Sequence, residues 1–162
     1  LEANFVLGDG ERLAEYFPDK KFDFVYSFGV IHHTPNPRKV IEEIEKVIKP
    51  GGELRIMIYS KYSTKNFMIL LGLAQPEAQA NCPIAFTYTK PEIIDLLSSF
   101  KVYSCEKDHI FPYQIEQYKQ YVYVKKFPWN MMPAGLTRVC EKTLGWHYLV
   151  KAKYEPESVS SN

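Results

Sequence analysis

Disulfide and zinc chemistry are the first things this sequence does without. Its three cysteines, Cys82, Cys105 and Cys140, are odd in number and far apart, and no C-x-x-C pair occurs. That pattern disfavours a disulfide framework and a structural zinc site. Reduced thiols in a cytoplasmic protein are the expectation. Charge of one sign is also lacking: 20 Lys and Arg against 19 Asp and Glu leave a net charge of +1. Binding to nucleic acid or to an acidic membrane surface has no electrostatic basis. The apolar run FMILLGLA falls far short of the roughly 20 residues that cross a bilayer, and neither a membrane span nor a signal peptide is expected. Repeats and low-complexity tracts are absent. No nucleophile elbow surrounds Ser27 or Cys105, which sets a hydrolase aside. Residue 1 is Leu rather than Met and stands close to an apolar run, so further residues are expected upstream.

What is present suits one ordinary domain. The 162 residues are 46% hydrophobic and 24% charged. Residues 1–154 read as a single unit, and the polar EPESVSSN end reads as a flexible tail over 155–162. Twelve Tyr and ten Phe are many; they fit an ordinary core or a pocket with aromatic walls. NFVL at residues 4–7, bounded by Gly8-Asp9-Gly10, reads as a buried strand entering a turn. FDFVYSF is a second near-continuous apolar run, the pattern of a strand covered on both faces.

A capped helix follows. Asn36 suits an N-cap and Pro37 the first helical position. Val40, Ile41, Ile44, Val47 and Ile48 share one face, and Pro50-Gly51-Gly52 stops the helix. ELRIMIYS is then a third strand, so strand, helix and strand form a βαβ unit. Beyond it, residues 61–89 read as an excursion over a sheet edge. TKPEIIDLLSSF reads as a helix and KVYSCEKDHI as a strand. PYQIEQYKQYVYV and PAGLTRVCEKTLG read as two helices, and WHYLVKAKY as a last strand.

The segment YSFGVIHHTPNP holds the most suggestive polar residues. Adjacent side chains on extended backbone diverge, so His32 and His33 cannot easily share one metal ion. His109 and His147 are remote in sequence, and no metal is expected. A general base remains open, because histidine titrates near neutral pH.

FDFVYSFGVIHHTPNP followed by VIEEIEKVIKPGGELRIMIYS resembles the central part of class I S-adenosylmethionine-dependent methyltransferases. The KPGGEL turn and the GVIHH strand end carry most of the likeness, and beyond residue 60 it rests on element order. The resemblance implies an α/β, Rossmann-like, mostly parallel sheet with flanking helices. The family's strand order is three, two, one, four, five, seven, six. NFVL then stands as strand three, FDFVYSF as four, ELRIMIYS as five, KVYSCEK as six and WHYLVKA as seven. A helical insertion precedes the last strand. The sheet is incomplete, because strands one and two and the glycine-rich loop after strand one have no counterpart in the chain.

The resemblance also implies site residues. Asp9, at the end of strand three, would accept from the adenine amine of S-adenosylmethionine, with the Gly10 N–H nearby; an Asp-Gly turn is the plain alternative. Ser27, Phe28 and Gly29 would offer main-chain carbonyls to the cofactor's ammonium group, or Gly29 merely allows a bend. His33 would line the cofactor pocket or support the turn before the helix. The substrate side would come from residues 61–89 and 111–144, with Tyr59, His109 and Tyr113 near strand ends. His109 and His33 are the candidate catalytic bases. The implied activity is methyl transfer to a small-molecule acceptor, with this chain inactive alone. The alternative is a non-catalytic interaction module that forms a homodimer through the exposed edge of FDFVYSF.

Overall fold

The computed structural model describes residues 3–19, 21–74 and 82–156. Residues 3–9 carry no regular structure, and Phe5 and Leu7 are 95% and 100% exposed. The expected strand at residues 4–7 is therefore not formed. Its ladder partner would have to lie outboard of the sheet, and no described strand does. An apolar run without a partner surface gains nothing by extending.

A 3-10 turn at Gly10–Arg12 leads into the single-turn helix α1 (Leu13–Tyr16) and then into β1 (Phe22–Phe28). Helix α2 (Pro37–Val47) begins where expected: the Asn36 side chain accepts the Lys39 N–H at 3.1 Å. It stops at Val47 because Pro50 disfavours helical backbone at Lys49. Strand β2 (Ile48–Ser60) starts earlier than the Gly-Gly pair suggested. Ile48 already pairs with Phe22, and residues 49–52 form an irregularity before Glu53 pairs with Phe24. Gly52 is required there, since a Cβ would lie 2.8 Å from the Lys49 carbonyl oxygen.

Helix α3 (Thr64–Leu70) is short, and a two-residue strand, β3 (Thr87–Tyr88), pairs with the end of β2. Helix α4 (Lys90–Leu96) opens on a Thr89–Glu92 capping box. Strand β4 (Phe100–Asp108), helices α5 (Ile115–Lys119) and α6 (Ala134–Leu144), and strand β5 (His147–Tyr154) complete the chain. The helix expected over PYQIEQYKQYVYV shrinks to α5. Its β-branched and aromatic end is a poor helix former, and Tyr121 takes a positive φ of 60°.

The sheet order is β1-β2-β5-β4, with β1 parallel to β2 and β5 antiparallel to both neighbours. This is the order four, five, seven, six that the resemblance implied. One face is closed by α2 and α4. Val40, Ile41, Ile44, Ile93 and Leu97 pack with Leu54, Ile56 and Ile58 of β2 and with Val150 and Ala152 of β5. On β1 the alternation splits. Val25 packs against this core, whereas Phe24, Tyr26 and Phe28 stand 46%, 61% and 48% exposed as a stacked ladder. The expectation that both faces of β1 are covered is thus corrected: the core lies on one side only. Among the described residues no helix is long and apolar enough to cross a membrane.

Candidate functional site

Everything polar and aromatic that matters gathers where β1 and β2 end. Gly29 leaves β1 with φ +76°, a conformation glycine adopts without cost. Its N–H reaches the Met57 carbonyl at 3.5 Å. Ser27 pairs in register with Ile56 and Phe28 with Met57. The chain then makes a 3-10 turn, Ile31–His33, before α2. Asp9 lies in irregular backbone, not at a strand end, which corrects the expectation. It caps the Gly10–Arg12 turn, its Oδ1 accepting the Glu11 N–H at 2.9 Å. Gly10 faces Val40 on α2. Glu11 Oε1 accepts the Asn36 N–H at 2.7 Å, tying this turn to the loop that leaves β1.

The two histidines of the opening segment have different surroundings. His32 is fully buried, and neither ring nitrogen has a hydrogen-bond partner. Burial disfavours its charged form, neighbouring His33 and His147 add to this, and its pKa falls to about 3 against a weak opposing pull from the Met57 main chain. His33 is half-buried and well partnered. Its Nδ1 lies 2.7 Å from the Ile84 carbonyl and its Nε2 3.3 Å from the Tyr59 hydroxyl. A carbonyl only accepts, so Nδ1 carries the proton. The Nε2 lone pair then receives the Tyr59 O–H.

Tyr59 is the hinge of the site. Its ring contacts His32 at 4.0 Å, stacks on Trp146 at 4.5 Å and on His147 at 5.8 Å. His147 in turn stacks on His109 at 4.8 Å with planes 7° apart. All four histidines of the chain therefore belong to one ring cluster, although 115 positions separate His32 from His147. Antiparallel pairing does this. Tyr59, near the end of β2, is directly opposite His147, the first residue of β5, and Asp108 is opposite the same histidine on β4. Among the described residues no group of three or more His, Cys, Asp or Glu has metal-binding geometry.

Beyond Tyr59 lies a cavity of about 550 Å³. Tyr59, Trp146, His147 and His109 form one wall, and Met68, Leu73, Ile110, Phe111 and Trp129 supply apolar surface. His109 holds a positive φ of 68°, with its N–H bound to Asp108 Oδ1 at 2.8 Å and its carbonyl accepting the Trp146 N–H at 2.9 Å. Phe28, at the end of β1, contacts His147 edge-on at 6.5 Å, so the β1 rim and the cavity share a wall. Of the candidate substrate-side residues, Tyr59 and His109 line the cavity. Tyr113 instead packs with Phe111 and Tyr118. Sequence reasoning missed Trp146 and His147 as lining residues, whereas Lys126 falls within the expected 111–144 stretch. An antiparallel direction for the last strand was the signal that could have found the first two.

Residues 1–56 match the sequence profile described as a methyltransferase domain. Over that stretch the chain is similar in sequence to methyltransferase domains, and its fold resembles that of S-adenosylmethionine-dependent methyltransferases. Phosphoethanolamine N-methyltransferase 2 of Caenorhabditis elegans is 39% identical over 51 residues, 32% of this chain and 12% of that protein. The mitochondrial ubiquinone biosynthesis O-methyltransferase of Dictyostelium discoideum is 37% identical over 69 residues, 43% of this chain and 22% of that protein. The matched stretches thus span less than a quarter of either relative. A methyltransferase of Thermotoga maritima superposes with a TM-score of 0.59 at 17% identity, covering 93% of this chain and 64% of that one. At that identity the superposition speaks for the fold alone.

The methyltransferase-type cofactor finds a partial fit here. Asp9 offers an exposed carboxylate, and β1 ends in main chain beside a glycine that lets a ligand approach. The glycine-rich loop that would hold its other side is not in the sequence.

Proposed function

We propose that these residues are the acceptor-binding half, and one side of the cofactor site, of an enzyme that methylates a small molecule from S-adenosylmethionine. The shared wall carries this reading: Phe28 at the β1 rim touches His147, which lines the cavity. Asp9 and Gly10, and the Ser27–Phe28–Gly29 main chain, would hold the adenine and ammonium ends. His33 supports the rim from behind. When bound, the cofactor supplies an electrophilic methyl group. The chain's own residues position the acceptor and accept its proton. A proton leaving an acceptor hydroxyl or amine passes to the Tyr59 oxygen as the Tyr59 proton moves to His33 Nε2. His109, stacked on His147 in the cavity wall, is the other candidate base.

Without the glycine-rich loop, cofactor binding by these 162 residues is expected to be weak. Isothermal titration tests this: micromolar binding of S-adenosylmethionine would show that the residues present suffice. Reading the coding DNA upstream of Leu1 tests the rest. A strand followed by a glycine-rich loop supports a methyltransferase; a start codon with no such unit favours a repurposed half-domain.

One observation favours the second reading, a non-catalytic module that self-associates. Phe24, Tyr26 and Phe28 are an exposed aromatic ladder on an edge strand, with Arg55 over the Phe24 ring at 5.2 Å. Light scattering separates the readings, since a clean monomer at high concentration removes the dimer.

A further inference from the structure

The segment between β4 and α6 carries apolar surface that the fold does not use. Its two arms close antiparallel. The Gln114 N–H donates to the Val124 carbonyl and the Lys126 N–H to the Pro112 carbonyl, both at 2.8 Å, and Tyr113 is bridged to Lys125. Inside the turn Phe111, Tyr113, Tyr118 and Tyr123 pack ring on ring, with centroids 4.9–5.9 Å apart. These bonds and rings fix the shape of the segment, and its tip still faces water. Tyr121 is 83% exposed, Phe127 and Met131 are each 78% exposed, and Val122 and Val124 are exposed beside them. Large apolar side chains clustered in water and rimmed by polar groups mark a contact with a protein or a membrane.

The rim has one sign. Residues 117–131, QYKQYVYVKKFPWNM, hold three lysines and no acidic residue. Lys119 pairs with Glu116 at 3.3 Å, whereas Lys125 and Lys126 form no ion pair among the described residues. Helix α3, across the cavity, repeats the pattern: Met68 lines the cavity, Phe67 and Leu70 are exposed, and the helix has no acidic residue. Lysine is depleted from protein–protein contacts, yet here two adjoin the exposed Phe127. Tyrosine and aliphatic side chains interleaved with lysine suit the water–lipid boundary instead. Their apolar bodies enter the acyl region while phenol and ammonium groups stay among the headgroups. The net charge of +1 predicts no attraction to an acidic membrane, but it averages over the whole chain. Attraction to a charged surface acts within about 10 Å, so the local excess at the tip decides.

We propose that the tip from Tyr121 to Met131, with the outer face of α3, docks on an anionic phospholipid bilayer, Lys125 and Lys126 lying among the headgroup phosphates. This surface stands apart from the methyl-transfer reading, and its test needs no S-adenosylmethionine. Co-sedimentation is measured with vesicles of phosphatidylcholine alone and of phosphatidylcholine mixed with phosphatidylglycerol. A lysine near such a surface is worth about fivefold in binding. Binding to the mixed vesicles is therefore expected to be at least about tenfold tighter than to the neutral ones, and to weaken as salt is raised. Lys125→Glu should weaken it by about fivefold or more. Tyr121→Ser with Phe127→Ser should abolish it while circular dichroism stays unchanged. Tyr26→Ser, on the bare face of β1, should leave it as it is. Equal binding to neutral and anionic vesicles, no binding to either, or an equal loss in Tyr26→Ser would overturn the proposal. So would an oligomer that the tip variants dissolve while vesicles sediment without protein, since a second copy then covers the tip. If the double variant fails to fold, Lys125→Glu, a change at an exposed loop position, still locates the contact.

Discussion

His32 makes the stability of this fold depend on pH above the range where carboxylates act. Its ring is fully buried with neither nitrogen bonded, and its pKa is pushed down to about 3 from 6.5. As pH falls through 6.5 the unfolded chain takes up the proton first, while the folded ring stays neutral. Protonation therefore favours unfolding, and this stability is fully present above about pH 6.5 and lost as pH falls toward 3. At about pH 5 the unfolded state is some 1.5 units below its pKa, which costs the folded state about 2 kcal/mol. Glu43 is held down to about 2 from 4.5 by Lys46, the Ala14 N–H and Lys39, so its own loss begins at more acid pH and leaves this window clear. Urea unfolding at about pH 8 and about pH 5 measures the difference. His32→Leu, of similar volume and without a titrating group, should lower the pH sensitivity by about 2 kcal/mol whatever it does to stability at pH 8. The same slope in wild type and variant would refute the claim that a neutral, unpartnered ring is sealed under the β1 rim.

Three further outcomes test the framework. Glu43→Ala removes the acceptor of the Ala14 N–H at 2.9 Å and of Lys46 at 2.6 Å; a loss of about 1–3 kcal/mol in denaturant unfolding is expected. Ile58, fully buried in β2 between helices and sheet, should cost about 2–5 kcal/mol on truncation to Ala, and a smaller change in midpoint would mean a looser core. Nitrogen-15 spectra of neutral His33 should show the Nδ1–H tautomer, with Nε2 shifting in Tyr59→Phe; an Nε2–H tautomer would break the proposed route for the acceptor's proton.

Local chemistry made much of the β1–α2–β2 unit readable. The Asn36 cap, Pro37 at the first turn and the apolar stripe through Ile44 act over a few residues, and the structure keeps all three. The stop at Pro50-Gly51-Gly52 was readable for the same reason, although β2 pairing reaches back to Ile48. Residues 4–7 show the opposite case. NFVL, with three apolar residues in a row, reads as a strand, but a strand needs a neighbouring ladder, and pattern alone does not say whether one is there. The aromatic ladder of β1 is a similar case: a near-continuous apolar run predicts cover on both faces, and only the placing of α2 and α4 on one side decides otherwise.

The site divides along the same line. Gly29, Ser27, Phe28 and His33 sit within seven positions of each other, so one strand end places them together, and the segment was recognisable. His109 and His147 are brought to Tyr59 by strand pairing across the sheet. Adjacent histidines in a sequence say nothing about two others more than 70 positions away.

By itself, the sequence determined where short-range forces act: caps, turns and helix faces. Only the tertiary structure decided what the four histidines do, which face of β1 is bare and that a cavity exists at all. Those are contacts between segments far apart in the chain. Their geometry depends on the direction in which β5 crosses the sheet, a choice made by the whole fold and not by any one stretch of it.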